Sequence, residues 1–185
     1  EMAMESLIRQ LEEAGIADDT VIVISPDHYP YALERSATWG NAENYLTELY
    51  GVTEMDRFTR DSNALIIWSG CLEDKNLKVE TPVYSLDILP TLSNLFGLNY
   101  DSRLLVGRDV FSDTEPLVLW PEYSWKTDKG TYDSGSRTFT PAEGVEVDDS
   151  YVDRIKAIVS NKISYSREVQ NLKYFQVLSD FLNGK

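Results

Sequence analysis

Asp27 and His28 stand side by side directly after an apolar run, and together they offer a carboxylate oxygen and an imidazole nitrogen. Both atoms are ligands for borderline divalent metals such as zinc or manganese, and adjacent residues leaving a strand can converge on one ion. His28 is the only histidine in the chain. A dipeptide this short also arises by chance, and an ordinary hydrogen-bonded loop histidine is the other reading of the same residues.

The preceding residues decide where such a pair would sit. Val21 to Ile24 is a continuous β-branched run, the pattern of an interior parallel strand with both faces buried. Pro26 cannot donate to a sheet ladder, so the strand is expected to stop there and leave Asp27 and His28 beyond its carboxyl end. In open α/β sheets that edge is where sites are built. Upstream, Met4, Leu7, Ile8, Leu11 and Ala14 form an amphipathic stripe, so a helix is expected from about Met2 to Ala14, closed by Gly15. The chain opens in the middle of that helical pattern, which predicts a start inside a longer protein. Downstream, Ala32 to Asp61 is polar, with a short helix expected over Ala42 to Tyr50. A long excursion of this kind above a site edge is either a substrate-covering flap or a variable insertion.

Further on, Asn63 to Ser69 reads as a second buried strand. Ser85, Asp87, Leu86, Leu89, Leu92, Leu95 and Phe96 read as a capped helix with an apolar face, and Pro90 predicts an irregular first turn. Leu117 to Trp120 is a third strand. Tyr123 to Asp133 is an antiparallel hairpin turning at Thr127-Asp128-Lys129-Gly130. Pro141 to Val147 reads as a polar linker, followed by helices marked by Val152, Ile155, Ile158, Val159 and Ile163 and then by Leu172, Phe175, Leu178 and Leu182.

The 42% hydrophobic and 11% aromatic content over 185 residues is that of one folded domain with a substantial core. With 17 Lys plus Arg against 31 Asp plus Glu, the net charge of -14 repels phosphate backbones, so nucleic acid is not an expected partner. The single cysteine, Cys71, excludes an intramolecular disulfide and a CxxC zinc site. No apolar run approaches the roughly 20 residues of a membrane helix.

Five phrases in order carry a resemblance: Thr20-Val-Ile-Val-Ile-Ser-Pro-Asp-His28, Ala64-Leu-Ile-Ile-Trp-Ser-Gly70, Ser85-Leu-Asp-Ile-Leu-Pro-Thr-Leu92 with Phe96-Gly97, Gly107-Arg-Asp-Val-Phe-Ser112 and Trp125-Lys-Thr-Asp-Lys-Gly130. Together they resemble the carboxyl-end portion of sulfatase-superfamily proteins, most of all the lipoteichoic acid synthase group of membrane-anchored phosphoglycerol transferases. The resemblance implies an α/β fold, a partial alkaline-phosphatase-like sheet flanked by helices with a C-terminal hairpin and helices. It implies part of a catalytic domain over residues 1–140, and a linker with helices packed on it over 141–185. It further implies a location outside the cell and membrane anchorage through a region upstream of the chain.

The implied cofactor is a divalent metal, manganese in much of this group, with Mg2+, Ca2+ or Zn2+ as alternatives, held partly by Asp27 and His28. In the family the threonine nucleophile and further acidic ligands lie well upstream of the Asp-His strand, so no catalytic nucleophile is expected here. Where the family's usual glycine precedes Asp-His, this chain has Pro26. The implied substrate of the whole protein is a phosphatidylglycerol-like lipid or another phosphate or sulfate ester. A sulfatase, a phosphodiesterase and a noncatalytic extracellular binding module are the rival readings. The chain alone is expected to fold, to be catalytically silent and to self-associate through uncovered apolar surface. Arg108 and Lys126 are either anion binders or ordinary turn and surface charges.

Overall fold

In the computed structural model, which describes residues 2–29, 42–53, 55–72 and 76–184, the chain divides into two units, Glu1–Lys78 and Val79–Lys185. It is mixed α/β, with helices beside two antiparallel sheets, consistent with a partial sulfatase-like α/β fold.

The first unit opens with helix α1, Met2–Glu13, whose apolar stripe recurs at helical spacing. Strand β1, Val21–Ile24, follows. The chain returns through α2, Ala42–Tyr50, and the short α3, Arg57–Arg60, to strand β2, Ile66–Ser69. Asp56 caps α3, its Oδ1 accepting from the backbone N–H of Phe58 at 2.7 Å and of Thr59 at 2.9 Å. The Tyr50 hydroxyl lies 3.1 Å from the carbonyl of Arg60 and 3.0 Å from that of Ser62, pinning the end of α2 to the exit of α3. Leu46 of α2 is buried.

β1 and β2 pair antiparallel, Val21 opposite Ser69 and Ile24 opposite Ile66. This corrects the expectation of an interior parallel strand. A parallel partner needs a connection that carries the chain back to the starting end of the sheet. Here the two ends of the connection, Ser25 and Leu65, lie at the same end of the pair, so β2 runs back along β1. Burial is also less complete than the apolar run suggests, since Val21 and Ile66 are both exposed.

In the second unit a 3-10 turn at Ser85–Asp87 leads into α4, Ile88–Leu95, the irregular start that Pro90 predicts. Asp87, 1% exposed, is the hub of this region. Its Oδ1 accepts from the backbone N–H of Arg108 at 2.8 Å, and its Oδ2 from that of Tyr84 at 3.2 Å. Burial pushes its carboxyl pKa up, and the two N–H donors with Arg108 and Lys162 oppose that push. Thr91 extends the same network, donating to the Asp87 carbonyl at 2.6 Å and accepting from the Val110 N–H at 3.1 Å. The polar side of α4 is therefore held inward. As a consequence Leu86, Leu89, Leu95 and Phe96, part of the apolar face read from the sequence, are exposed.

The second sheet runs β3-β4-β5-β6 and is antiparallel throughout: β3 is Val118–Leu119, β4 Trp125–Thr127, β5 Gly130–Asp133 and β6 Thr138–Pro141. The expected hairpin is β4 and β5, with Thr127 opposite Gly130 and Asp128-Lys129 as its two-residue loop. Gly130 has φ +149°, and a Cβ there would come within 2.4 Å of the Thr140 carbonyl oxygen. Strand β6 overlaps the start of the expected linker. Its Pro141 closes the pairing opposite Gly130, and Phe139 supplies its one inward aromatic ring.

Helix α5, Tyr151–Asn171, lays Tyr151, Ile155 and Val159 on this sheet at successive four-residue spacings. Trp125, fully buried, stacks on Tyr132 at 5.5 Å between centroids and meets Tyr151 edge-on at 6.2 Å. Each such buried side chain contributes about 1.5–3 kcal/mol. Helix α6, Tyr174–Leu182, leaves Phe175, Val177, Phe181 and Leu182 exposed.

Candidate metal centre

β1 ends at Ile24, and Ser25-Pro26 carries the chain to Asp27 and His28 just past its carboxyl end, as the sequence implies. The two side chains face each other. His28 Nε2 lies 3.4 Å from Asp27 Oδ1, with the imidazole half exposed and the carboxylate 89% exposed. They share one solvent-facing space and neither is sealed in an apolar core.

The partner of the other ring nitrogen favours one tautomer. His28 Nδ1 lies 2.7 Å from the Tyr29 carbonyl oxygen. A carbonyl only accepts, so Nδ1 carries the proton and Nε2 of the neutral ring keeps its lone pair. Two acceptors, Nε2 and Oδ1, then meet across the 3.4 Å gap. Their repulsion becomes attraction when a cation, either a proton or a metal ion, lies against both.

The donor set suits a divalent ion. Two bonds of about 2.1 Å at a near-tetrahedral angle place their donor atoms roughly 3.4 Å apart. One oxygen and one imidazole nitrogen match Mn2+ or Zn2+ better than Ca2+ or Mg2+, which take oxygen ligands. Among the described residues no group of three or more His, Cys, Asp or Glu side chains converges.

Described residues around the pair hold its loop. Asn63 Nδ2 donates to the His28 carbonyl at 3.3 Å, and the Arg60 guanidinium lies 4.9 Å from the Tyr29 ring centroid. Both come from the segment before β2, which the antiparallel register brings beside the exit of β1. Nothing in the residue pattern announces these contacts, because they depend on the register. The flap or insertion read over Ala32 to Asp61 lies partly outside the described residues, which resume at 42.

Arg108 and Lys126 lie in the second unit. The guanidinium of Arg108 donates to Thr81 Oγ1 at 3.1 Å and approaches the carbonyls of Asp109 and Val110, while its backbone N–H serves Asp87. It acts as a structural turn residue. Lys126 sits mid-strand opposite Val118.

No family profile matches the chain. It is 24% identical over 177 residues to lipoteichoic acid synthase 2 of Bacillus subtilis, a match covering 92% of this chain and 26% of that protein. It is 26% identical over 122 residues to lipoteichoic acid synthase of Staphylococcus saprophyticus, covering 62% of this chain and 17% of that protein. The chain is thus a distant relative of lipoteichoic acid synthases and spans about a quarter or less of the length of the curated relatives it matches.

Proposed function

We propose that this chain is the carboxyl-end portion of an extracellular, membrane-anchored phosphoglycerol transferase of the lipoteichoic acid synthase type, and that Asp27 and His28 are its contribution to a divalent metal site. The observation that carries the reading is the facing pair of acceptors, Oδ1 and Nε2, 3.4 Å apart at the carboxyl end of β1. The distant relationship supplies the class of chemistry. Its substrate would be a phosphatidylglycerol-like lipid, and manganese is the ion favoured by the resemblance and by the mixed oxygen and nitrogen donors.

The metal would supply positive charge against the charge that develops on a transferring phosphoryl group. The chain's own residues have simpler tasks. Asp27 brings the compensating negative charge. His28 presents Nε2 because its Nδ1 proton is committed to the Tyr29 carbonyl. Pro26 ends the strand so that both side chains leave the sheet together. The nucleophile would come from another part of a longer polypeptide, so the isolated chain would be silent.

The test is product analysis after supplying phosphatidylglycerol and Mn2+ to the longer protein that contains this chain. Glycerophosphate transferred to an acceptor supports the proposal. Release of free glycerophosphate alone identifies a phosphodiesterase, sulfate release from a sulfate ester identifies a sulfatase, and no turnover of any ester leaves the binding-module reading.

A further inference from the structure

The contacts around the β1 exit reach further than the ligand pair. Asn63 Nδ2 holds the His28 carbonyl at 3.3 Å, and Arg60 lies over the ring of Tyr29, the residue whose carbonyl receives the Nδ1 proton at 2.7 Å. Residues 28 and 29 are therefore clasped at two points by the segment that enters β2, and that segment is itself pinned by the Tyr50 hydroxyl at the Arg60 and Ser62 carbonyls. We infer that Asn63 is a positioning residue for the metal pair: by fixing the His28-Tyr29 peptide it keeps the Tyr29 carbonyl under Nδ1 and so selects the imidazole tautomer whose Nε2 lone pair faces Asp27. The inference rests on the metal reading for its purpose, but the tautomer it predicts exists with or without a metal.

The physical argument is one of geometry. In a neutral imidazole free of constraints both tautomers are accessible, and the partner of one nitrogen decides which nitrogen is left to bind. A backbone carbonyl in a loop is a selective partner only when the loop is held. Asn63 is on the surface and outside both strands, so its removal should not disturb the sheet.

A single ring makes the test direct, since His28 is the only histidine. The imidazole 15N spectrum of the 185-residue chain is recorded above the range in which a free imidazole titrates, for the wild type and for Asn63→Ala, Asn63→Asp and Asn63→Gln, with far-UV circular dichroism to verify the fold. The wild type is expected to show the Nδ1–H ring in large excess. Asn63→Ala and Asn63→Asp, which lack the donor, should move the ratio at least several-fold toward Nε2–H, and Asn63→Gln should restore part of it. A wild-type ring carrying its proton on Nε2, or a ratio unchanged in Asn63→Ala, overturns the inference. A Zn2+ titration of the same samples separates the two claims. Zn2+ should shift Nε2 in the wild type and do so at roughly 10- to 100-fold higher concentration in Asn63→Ala, the usual cost of losing a residue that orients a ligand. Failure of Zn2+ to perturb Nε2 in a wild type with the expected tautomer counts against the metal reading alone.

Discussion

His28 turns its Nε2 toward Asp27 Oδ1 at 3.4 Å while committing its Nδ1 to a backbone carbonyl at 2.7 Å. Such an arrangement stores little folding energy, because both side chains are solvent-facing. Replacing either by alanine should leave the thermal midpoint nearly unchanged, within the ~0.5 kcal/mol typical of surface positions. In a longer protein of the proposed type the same replacements should lower metal-dependent turnover by about 100-fold or more, as for groups that act as a unit. Parallel thermal melts and turnover assays check the separation of stability from activity.

The second unit carries the opposite case. Asp87→Ala would leave the backbone N–H groups of Arg108 and Tyr84 without their acceptor, at about 1–3 kcal/mol for each buried group left unsatisfied. Gly107→Ala would place a Cβ 2.0 Å from the Leu86 carbonyl oxygen and 2.3 Å from its carbon, a clash with backbone that only a shift of one segment can relieve. It should cost at least the roughly 1–3 kcal/mol of an overpacked core site. Urea denaturation of both variants is the check, and neither should alter binding at Asp27 and His28.

Glu115 gives a pH signature. Burial pushes its pKa up, but ion pairs with Lys129 at 3.2 Å and Arg154 at 3.3 Å outweigh this and hold it below the ordinary glutamate value. A carboxylate with a depressed folded-state pKa stabilises above its unfolded pKa, and that contribution disappears as pH falls through the folded value. Glu115→Gln should therefore be slightly less stable than the wild type at neutral pH and match it in acid. Denaturation midpoints across that range should converge as pH falls. Both cations also flank the Tyr151 ring, at 5.0 and 5.2 Å, so the effect should be local to the packing of α5 on the sheet.

Much of this was legible beforehand. The extent of α1 and the β4-β5 hairpin follow from apolar spacing and from the turn chemistry of Gly130, which are local signals, and the short helix expected over Ala42 to Tyr50 is α2. The placement of Asp27 and His28 beyond a strand end follows from Val21 to Pro26. The antiparallel partner of β1 was not legible, because pairing direction depends on where a long connection returns. The tether from Asn63 was hidden with it. The apolar face of α4 was legible too, but the network that turns it outward was not: Asp87 and Thr91 satisfy backbone groups that leucines cannot, and they hold the inner side.

That outward face has a consequence in solution. Leu86, Leu89, Leu95 and Phe96 leave large apolar side chains exposed on and around one short helix. We expect concentration-dependent self-association of the isolated chain, and a Leu89→Glu variant should shift sedimentation velocity profiles toward monomer while keeping the far-UV spectrum. Identical profiles at all concentrations for both proteins would remove this expectation.

The central claim is that Asp27 and His28 share one divalent ion, and paramagnetic broadening by Mn2+ tests it most directly. In the chain labelled with 15N and 13C, increasing Mn2+ should broaden the His28 Nε2 and Asp27 carboxylate signals before those of other side chains, with Asp27→Ala abolishing the effect at His28. Broadening distributed over the 31 acidic residues, with His28 no more affected than its neighbours, would contradict the account.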